Sequence, residues 1–368
     1  MPDWVETKIR DVAVLNYGRP LTFLNRQHGQ YPVYGSAGFL GFHFEPLIDS
    51  EGIIIGRKGN VGKVYMSSKP FWPIDTVYYI EKNKINCDFI FLFYLLQTLG
   101  LDGLNEDTAV PGLNRETIYE LKFPLPSPAE QLAIGLVLSS FDEKITILER
   151  QNQTLKSMIE AVFKQRFLVE AQDNWPLQPL SYFGNIVSGQ TPSKKVREYY
   201  DNGTIPFIKI PDMHDQVFVF TTNDSLTKTG ARSQSKRFIP PKSILVSCLG
   251  TVGLVSLNVH KSQTNQQINT IIPNKSNYRY YLFSYLRHLS DELTTLASGS
   301  TVTPNLNLTS FSQIQIPLPD ENCLDEFNNN VLPIFERIFT NTYQIFTLNK
   351  LKLIIMPRLI NGTMTLLR

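Results

Sequence analysis

The sequence predicts an α+β chain in which two globules alternate with two long helices. It is a pseudo-twofold internal repeat whose helices pair as an antiparallel coiled coil. Three observations predict this fold. Apolar residues recur at alternating steps of four and three along residues 134–162, and again along 324–355, which is the spacing of a seam that needs a partner helix. Ile316-Pro317-Leu318-Pro319 repeats Phe123-Pro124-Leu125-Pro126, 193 residues on (316 − 123), just ahead of each seam. The segments before these motifs repeat as well: Trp175–Gly189 parallels Trp4–Gly18, and Ile244–Val255 parallels Ile53–Val64.

Residues 1–122 read as a mixed globule. Trp4 to Tyr17 alternates apolar and polar residues and ends at Gly18. The aromatic, glycine-rich stretch Tyr31–Gly41 predicts short strands and turns. Ile53–Ile55 and Thr76–Ile80 read as strands, Gly56–Val64 as a glycine-rich turn entering another strand, and Cys87–Leu99 as a short helix with an apolar face.

The first helical segment occupies residues 123–167. Ser127 is an N-cap, Pro128 takes the first helical position, and Glu130 closes a capping box. Its seam is Ile134, Leu138, Phe141, Ile145, Leu148, Asn152, Leu155, Ile159 and Val162.

Residues 168–315 form the second globule. The offset between copies grows from 171 (175 − 4) to 191 (244 − 53), so this globule carries an insertion of about 20 residues between those points. The second helical segment occupies 316–368, with Asp320 as N-cap. Its seam is Leu324, Phe327, Val331, Ile334, Ile338, Asn341, Ile345, Leu348, Lys352 and Ile355. Pro333 falls inside it, which predicts a kink there or a regular helix that starts only after Asn330.

Antiparallel pairing sets an a position against a d position. Placing Asn152 against Asn341 brings Leu148 to Ile345, Ile145 to Leu348, Leu155 to Ile338 and Ile159 to Ile334. The two amides then meet each other instead of apolar partners, so Asn152 and Asn341 are the expected register residues. One layer is poor, Phe141 opposite Lys352, where the lysine can snorkel.

At 368 residues, with 42% hydrophobic and 11% aromatic residues, the chain has ample material for more than one core. A net charge of +2 and a pI near 8.2 do not by themselves indicate nucleic acid, so that case rests on local patches. Cys87, Cys248 and Cys323 are scattered and odd in number, which fits a reducing, cytoplasmic setting. The N-terminus shows no apolar leader, and no apolar run approaches a membrane span, so no membrane association is expected.

Catalytic patterns are missing. Gly56–Val64 fails as a phosphate-binding loop, because Arg57 stands where glycine is needed and Val64 where Ser or Thr is needed. The five histidines lie apart, without metal-ligand spacing. No serine-hydrolase or zinc-protease motif occurs, and neither a methyl-donor fingerprint nor the acidic-Pro-Pro-aromatic tetrapeptide of amino-methyltransferases is visible.

Basic and amide side chains do gather among glycine and proline turns, where they reach phosphates and base edges. The first globule offers Arg19, Arg26, Arg57, Lys58 and Lys63. The second offers Lys194, Lys195, Arg197, Lys209, Lys228, Arg232, Lys236, Arg237 and Lys242, with the amide run Gln263–Gln267. The plainer reading of such loops is a solvated face.

This layout resembles the specificity subunit of type I restriction–modification systems. The resemblance covers essentially the whole chain. It is carried by Pro111-Gly112-Leu113-Asn114 through Gln131, its copy from Pro304, and Gly250-Thr251-Val252-Gly253. Ser188–Ser193, Ile205–Ile210, Asn265-Gln266-Gln267 and Tyr31–Ser36 add to it.

The resemblance implies two target-recognition domains, each reading half of a bipartite asymmetric site in double-stranded DNA. The helices would space them and dock modification subunits, two in number. Those subunits would bind S-adenosylmethionine and methylate adenine. Restriction subunits would join through the complex and use ATP and Mg, and this chain would bind no cofactor and catalyse nothing. The expected DNA contacts are Arg19, Tyr34, Ser36, Arg57, Lys58, Asn60 and Lys63 in the first globule, and Lys194, Lys195, Lys209, Arg232, Lys236, Arg237, Gln266 and Gln267 in the second. The second helix departs from the pattern, with Cys323-Leu324 in place of Glu130-Gln131. The alternatives are a degenerate scaffold that no longer reads DNA and a diverged small methyltransferase. Leu138 to Val162 would span roughly 36 Å as a helix, close to one turn of B-DNA.

Overall fold

In a computed structural model, residues 4–104, 112–172, 174–298 and 305–366 are described; Pro111 and Pro304 of the repeated motif lie outside them. The chain divides into two compact units, residues 1–145 with 348–368, and residues 146–347. The division crosses both long helices, so each unit holds one globule and a stretch of each helix.

In the first unit, a four-stranded antiparallel sheet runs in the order Asn16–Tyr17, Val77–Glu81, Gly52–Gly56, Val64–Ser67. The run of three isoleucines is buried on both faces of this sheet. Ile53 and Ile55 face Phe91, Leu92 and Leu95 of helix Phe89–Thr98, together with Ile134, Leu138, Met356 and Leu359 of the long helices. Ile54 points the other way, into a smaller core with Ile48, Phe71 and Val77. A second sheet orders Gly38–His43, Tyr31–Gly35 and Trp72–Pro73, the last pair parallel. A ribbon of Val5–Lys8 against Lys122–Leu125 closes the globule before the long helix.

The second unit repeats the plan. Its main sheet orders Gly184–Ser188, Ile268–Pro273, Ile244–Ser247, Val255–Asn258 and Phe218–Val219, and its smaller sheet Asp224–Leu226, Ile205–Ile208 and Gln263–Thr264. A ribbon of Leu177–Pro179 with Gln315–Pro317 closes it. Ile244 and Val246 face the core with Tyr281, Phe283 and Phe327, and Leu245 faces Val187, Ile208 and Ile268 on the far side. The extra residues lie where Phe218–Val219 adds a strand and where helix Lys228–Arg232 packs on residues 197–200.

The first long helix runs Pro128–Lys164 and continues as a π-helical turn to Val169. Its capping box forms: Glu130 N donates to Ser127 Oγ at 3.4 Å, and Ser127 N to Glu130 Oε2 at 3.2 Å. Gln131 is buried and ties the helix to its globule, accepting from Asp88 N at 2.7 Å and donating to Pro126 O at 2.8 Å.

The second long helix is unbroken from Glu321 to Ile360 and does not wait until Asn330 to begin. Asp320 caps it by accepting from Cys323 N at 2.8 Å. Pro333 is exposed, so the carbonyl left without its amide partner faces water. Fully buried Phe335 lies just off the expected seam. It stacks on Tyr280 at 4.1 Å, so this helix turns a second face onto its own globule.

Along the seam, Ile134, Leu138, Ile145, Leu148, Asn152 and Ile159 are buried on the first helix, and Leu324, Phe327, Val331, Ile338 and Asn341 on the second. In the second unit, Asn341 Nδ2 donates to Asn152 Oδ1 and to Gln151 Oε1, both at 2.9 Å, and Asn152 Nδ2 donates to Thr342 Oγ1 at 3.3 Å. In the first unit, Lys352 Nζ donates to both carboxylate oxygens of Asp142 at 2.6 and 2.7 Å. It sits 5.0 Å over the Tyr94 ring, whose hydroxyl donates to the same carboxylate at 2.7 Å. The poor layer expected at Lys352 is thus met by a carboxylate. Burial, and then Asp142, holds the Tyr94 phenol above its ordinary range and keeps it a donor.

Replacing Asn152 by Leu removes an acceptor from Asn341, which has no exposed surface. Urea unfolding is expected to show a loss of about 1–3 kcal/mol, largely recovered when Asn341 is also changed to Leu.

Candidate nucleic-acid interface

The turn between strands Gly52–Gly56 and Val64–Ser67 is built by glycine. Gly59 and Gly62 hold φ of +79° and +76°, a left-handed backbone that side-chain-bearing residues rarely adopt. A Cβ at Gly62 would lie 2.3 Å from the amide nitrogen of Asp102. The second copy repeats both features, with Gly250 and Gly253 at +78° and +90°, and a Cβ at Gly253 would lie 2.5 Å from Ser290 Oγ. In each unit the turn is pressed onto the chain that follows the globule's helix, so its outer residues are held rigidly.

On this frame the first unit gathers most of its expected contact residues around Pro73–Thr76. Arg57 N and Lys58 N both donate to Thr76 O, at 2.9 and 3.2 Å, and Leu113 N donates to Arg57 O at 2.9 Å. Ser36 N donates to Thr76 Oγ1 at 3.3 Å, and Arg19 N to Pro73 O at 3.0 Å. Lys58, Asn60 and Lys63 are exposed, while Arg57 and Ser36 are half-buried. Tyr34 joins the group through its carbonyl, which accepts from Ile74 N at 2.9 Å. Its ring instead packs on Phe39 and Phe71.

Two further residues belong to this cluster. Arg57 and Arg115 lie 5.1 and 5.2 Å from the centroid of the same exposed ring, Tyr17. Tyr17 stands just before Gly18 and Arg115 just after the repeated Asn114, and those repeats are the signal in the sequence that could have found them.

In the second unit the equivalent surface is made of other side chains. Cys248, Leu249 and Leu254 replace Arg57, Lys58 and Lys63. Burial pushes the Cys248 thiol up to about 12, so it is neutral and inert. Amides take over: exposed Gln266 accepts from Thr191 Oγ1 at 2.5 Å, and Gln267 Oε1 accepts from Asn265 Nδ2 at 2.7 Å. Arg237 arrives from a distant turn and donates to Ser188 O at 3.0 Å.

Gln263, at the start of the amide run, is fully buried and bonds Ala231 O, Gln234 O and the Gln234 side chain, so it is structural. Lys209 pairs with Asp224 at 2.7 Å. Lys194, Lys195, Arg232 and Lys236 are exposed and stand on two segments, Lys194 with Lys195 and Arg232 with Lys236. Among the described residues these four cations, and likewise Arg19, Lys58 and Lys63, make no ion pair. That leaves their charge available to phosphate.

Among the described residues, no group of three or more His, Cys, Asp or Glu is placed to hold a metal ion, and no helix is long and apolar enough to cross a membrane.

Comparison with known proteins bears on this arrangement. The chain is 45% identical over 190 residues to the HindI type I restriction enzyme specificity subunit of Haemophilus influenzae, a match covering 51% of this chain and 41% of that subunit. It is 24% identical over 309 residues to the MjaIX specificity subunit of Methanocaldococcus jannaschii, covering 77% of this chain and 70% of that one. The crystal structure of the S subunit of a type I restriction–modification system from M. genitalium shares the fold, with a TM-score of 0.65 at 15% identity, covering 98% of this chain and 96% of that one. Residues 1–157 and 172–344 each match the family described as the type I restriction modification DNA specificity domain, and the chain belongs to that family.

Proposed function

We propose that this chain selects the DNA sequence for a type I restriction–modification complex. Each globule reads one half of a bipartite, asymmetric site in duplex DNA, and the paired helices set the distance between the halves. One observation carries the reading: the same glycine-built turn, on the equivalent sheet, carries Arg57, Lys58 and Lys63 in one unit and, in the other, a buried Cys248 with Leu249 and Leu254, where Gln266 is the exposed side chain instead. A duplicated scaffold with different chemistry at equivalent points suits two different half-sites. Arg19, Ser36, Arg57, Lys58, Asn60 and Lys63 face the first half; Lys194, Lys195, Arg232, Lys236, Arg237, Gln266 and Gln267 face the second. Lys209 and Tyr34 act mainly as supports, since Lys209 is held by Asp224 and the Tyr34 ring by its aromatic neighbours.

Two modification subunits would carry S-adenosylmethionine and the methyl-transfer chemistry, and restriction subunits would use ATP and Mg. The helices offer them apolar surface: Leu132 and Leu136, one turn apart, are 53% and 61% exposed, and Leu353 is 71% exposed. An apolar recess of about 370 Å³ lined by Trp4, Ala129, Ala133 and Met364 lies beside the start of the first long helix.

Selection of duplexes from a random pool by the chain assembled with its modification subunits is expected to return a split site. Replacing residues 1–122 with the matching globule of a relative is expected to change one half only. A pool with no enriched sequence, or a change in both halves, overturns the proposal. The purified chain without partners is expected to transfer no methyl group to DNA above a mock preparation, and measurable transfer contradicts its non-catalytic role.

A further inference from the structure

We infer that Arg57 and Arg115, stacked on Tyr17, clamp one phosphodiester of the DNA backbone, and that the first globule alone has this clamp. The inference rests on the DNA-reading role proposed above.

The arrangement alternates rings and cations. Arg57 lies 5.1 Å from the Tyr17 centroid and 5.8 Å from that of Tyr78; Arg115 lies 5.2 Å from Tyr17 and 5.9 Å from Tyr119. Tyr17 and Tyr78 are themselves in ring contact at 5.1 Å. Two guanidinium groups flanking one ring are at most about 10 Å apart, within roughly one Debye length at moderate salt, so they repel unless an anion joins them.

Nearby counter-charge is slight. Among the described residues Arg57 has no carboxylate partner, and Arg115 has Glu116 at 3.7 Å, too long for a hydrogen bond. Both Nε atoms are buried without a hydrogen-bond partner among the described residues. Arg57 Nη2 is fixed on Asp75 O at 2.8 Å. What remains to meet a ligand is the outer edge of each planar group, the edge that binds phosphate in a fork.

The held-back position favours backbone over base. Arg57 and Arg115 are half-buried and held against rings, whereas Lys58, Asn60 and Lys63 are exposed on the turn. A side chain that cannot advance into a groove meets the part of the duplex nearest the protein, and such contacts fix register without reading sequence. The base of the stack is rigid: Tyr78 donates to Leu113 O at 2.8 Å, and burial, with the Tyr17 hydroxyl, pushes its phenol up to about 12. The second globule has Ser188, Cys248 and Leu308 at the equivalent positions, so no clamp can form there.

The test uses the full chain assembled with its modification subunits and a duplex carrying the selected site, with affinity measured from low to high NaCl. Changing Arg57→Gln and Arg115→Gln together is expected to reduce the slope of log K against log salt by about 0.9, the share of one phosphate, and each change alone by no more than that, with the selected sequence unchanged. Neutral methylphosphonate substitution, scanned along the wild-type site, is expected to find one position in the first half whose neutralisation weakens wild type but not the double variant. The wild-type arm of the scan needs no protein change, and a first half in which no single neutralised position weakens binding overturns the clamp even if a variant fails to fold. An unchanged slope in folded variants, an altered base preference, or loss of a modification subunit with DNA binding intact each overturns the clamp. The last outcome would assign the pair to a partner's carboxylate. Wild-type complex that ignores duplex DNA altogether would instead remove the reading beneath it.

Discussion

The hydrogen bond between Asn152 and Asn341 is the constraint on which the paired helices depend. An apolar seam with a heptad repeat does not choose its own register, because a slip of seven residues again sets apolar layers against each other. The amide pair removes that degeneracy. A slip of one heptad would set Asn341 against Ile145 or Ile159, both buried, leaving each asparagine without its partner at a cost of about 1–3 kcal/mol apiece. Lys352 on Asp142, in the other unit, selects the same register by a different chemistry. Each unit thus carries its own polar fixture on the seam.

Around this seam the chain repeats one design twice. In both units a three-residue apolar run is buried on two faces, a ribbon closes the globule before its long helix, and glycines at positive φ press a turn onto the chain after the globule's helix. Those features are about backbone placement and are shared. The side chains at the turn are not shared: guanidinium and ammonium groups in the first unit give way to a buried thiol and leucines in the second, with Gln266, Gln267 and Arg237 nearby. Under the proposed function, a shared frame with different outer residues lets one fold address two sequences.

Much of the frame was legible in the sequence because it is local. Helix starts followed from Ser127, Glu130 and Asp320, whose cap bonds form, and the seam from its period. The turn glycines were legible because few other residues tolerate that backbone. Pro333 misled, since propensity penalises proline in a helix interior but packing of Val331, Phe335 and Ile338 carries the helix through. Phe335 itself departs from the seam because it serves the globule. The candidate site was legible only in part. In the first unit Arg57, Lys58 and Asn60 sit on one turn, but Tyr17 and Arg115 join Arg57 there from distant points of the chain; in the second, Arg237 reaches Ser188 across a separation of 49 residues, and no local pattern reports either. Gln263 looked like its neighbours Gln266 and Gln267; pairing of its strand with Ile205–Ile208 turned it inward.

The central claim is that helix register fixes the separation at which the two globules read DNA. Its most direct test is to insert one matched heptad into each long helix, preserving the amide pair, and to determine the split site selected by the assembled complex. The insertion adds about 10.5 Å of helix. The account predicts that the unread spacer lengthens by about three base pairs, at 3.4 Å each, with both half-sites unchanged. A spacer of unaltered length would contradict it.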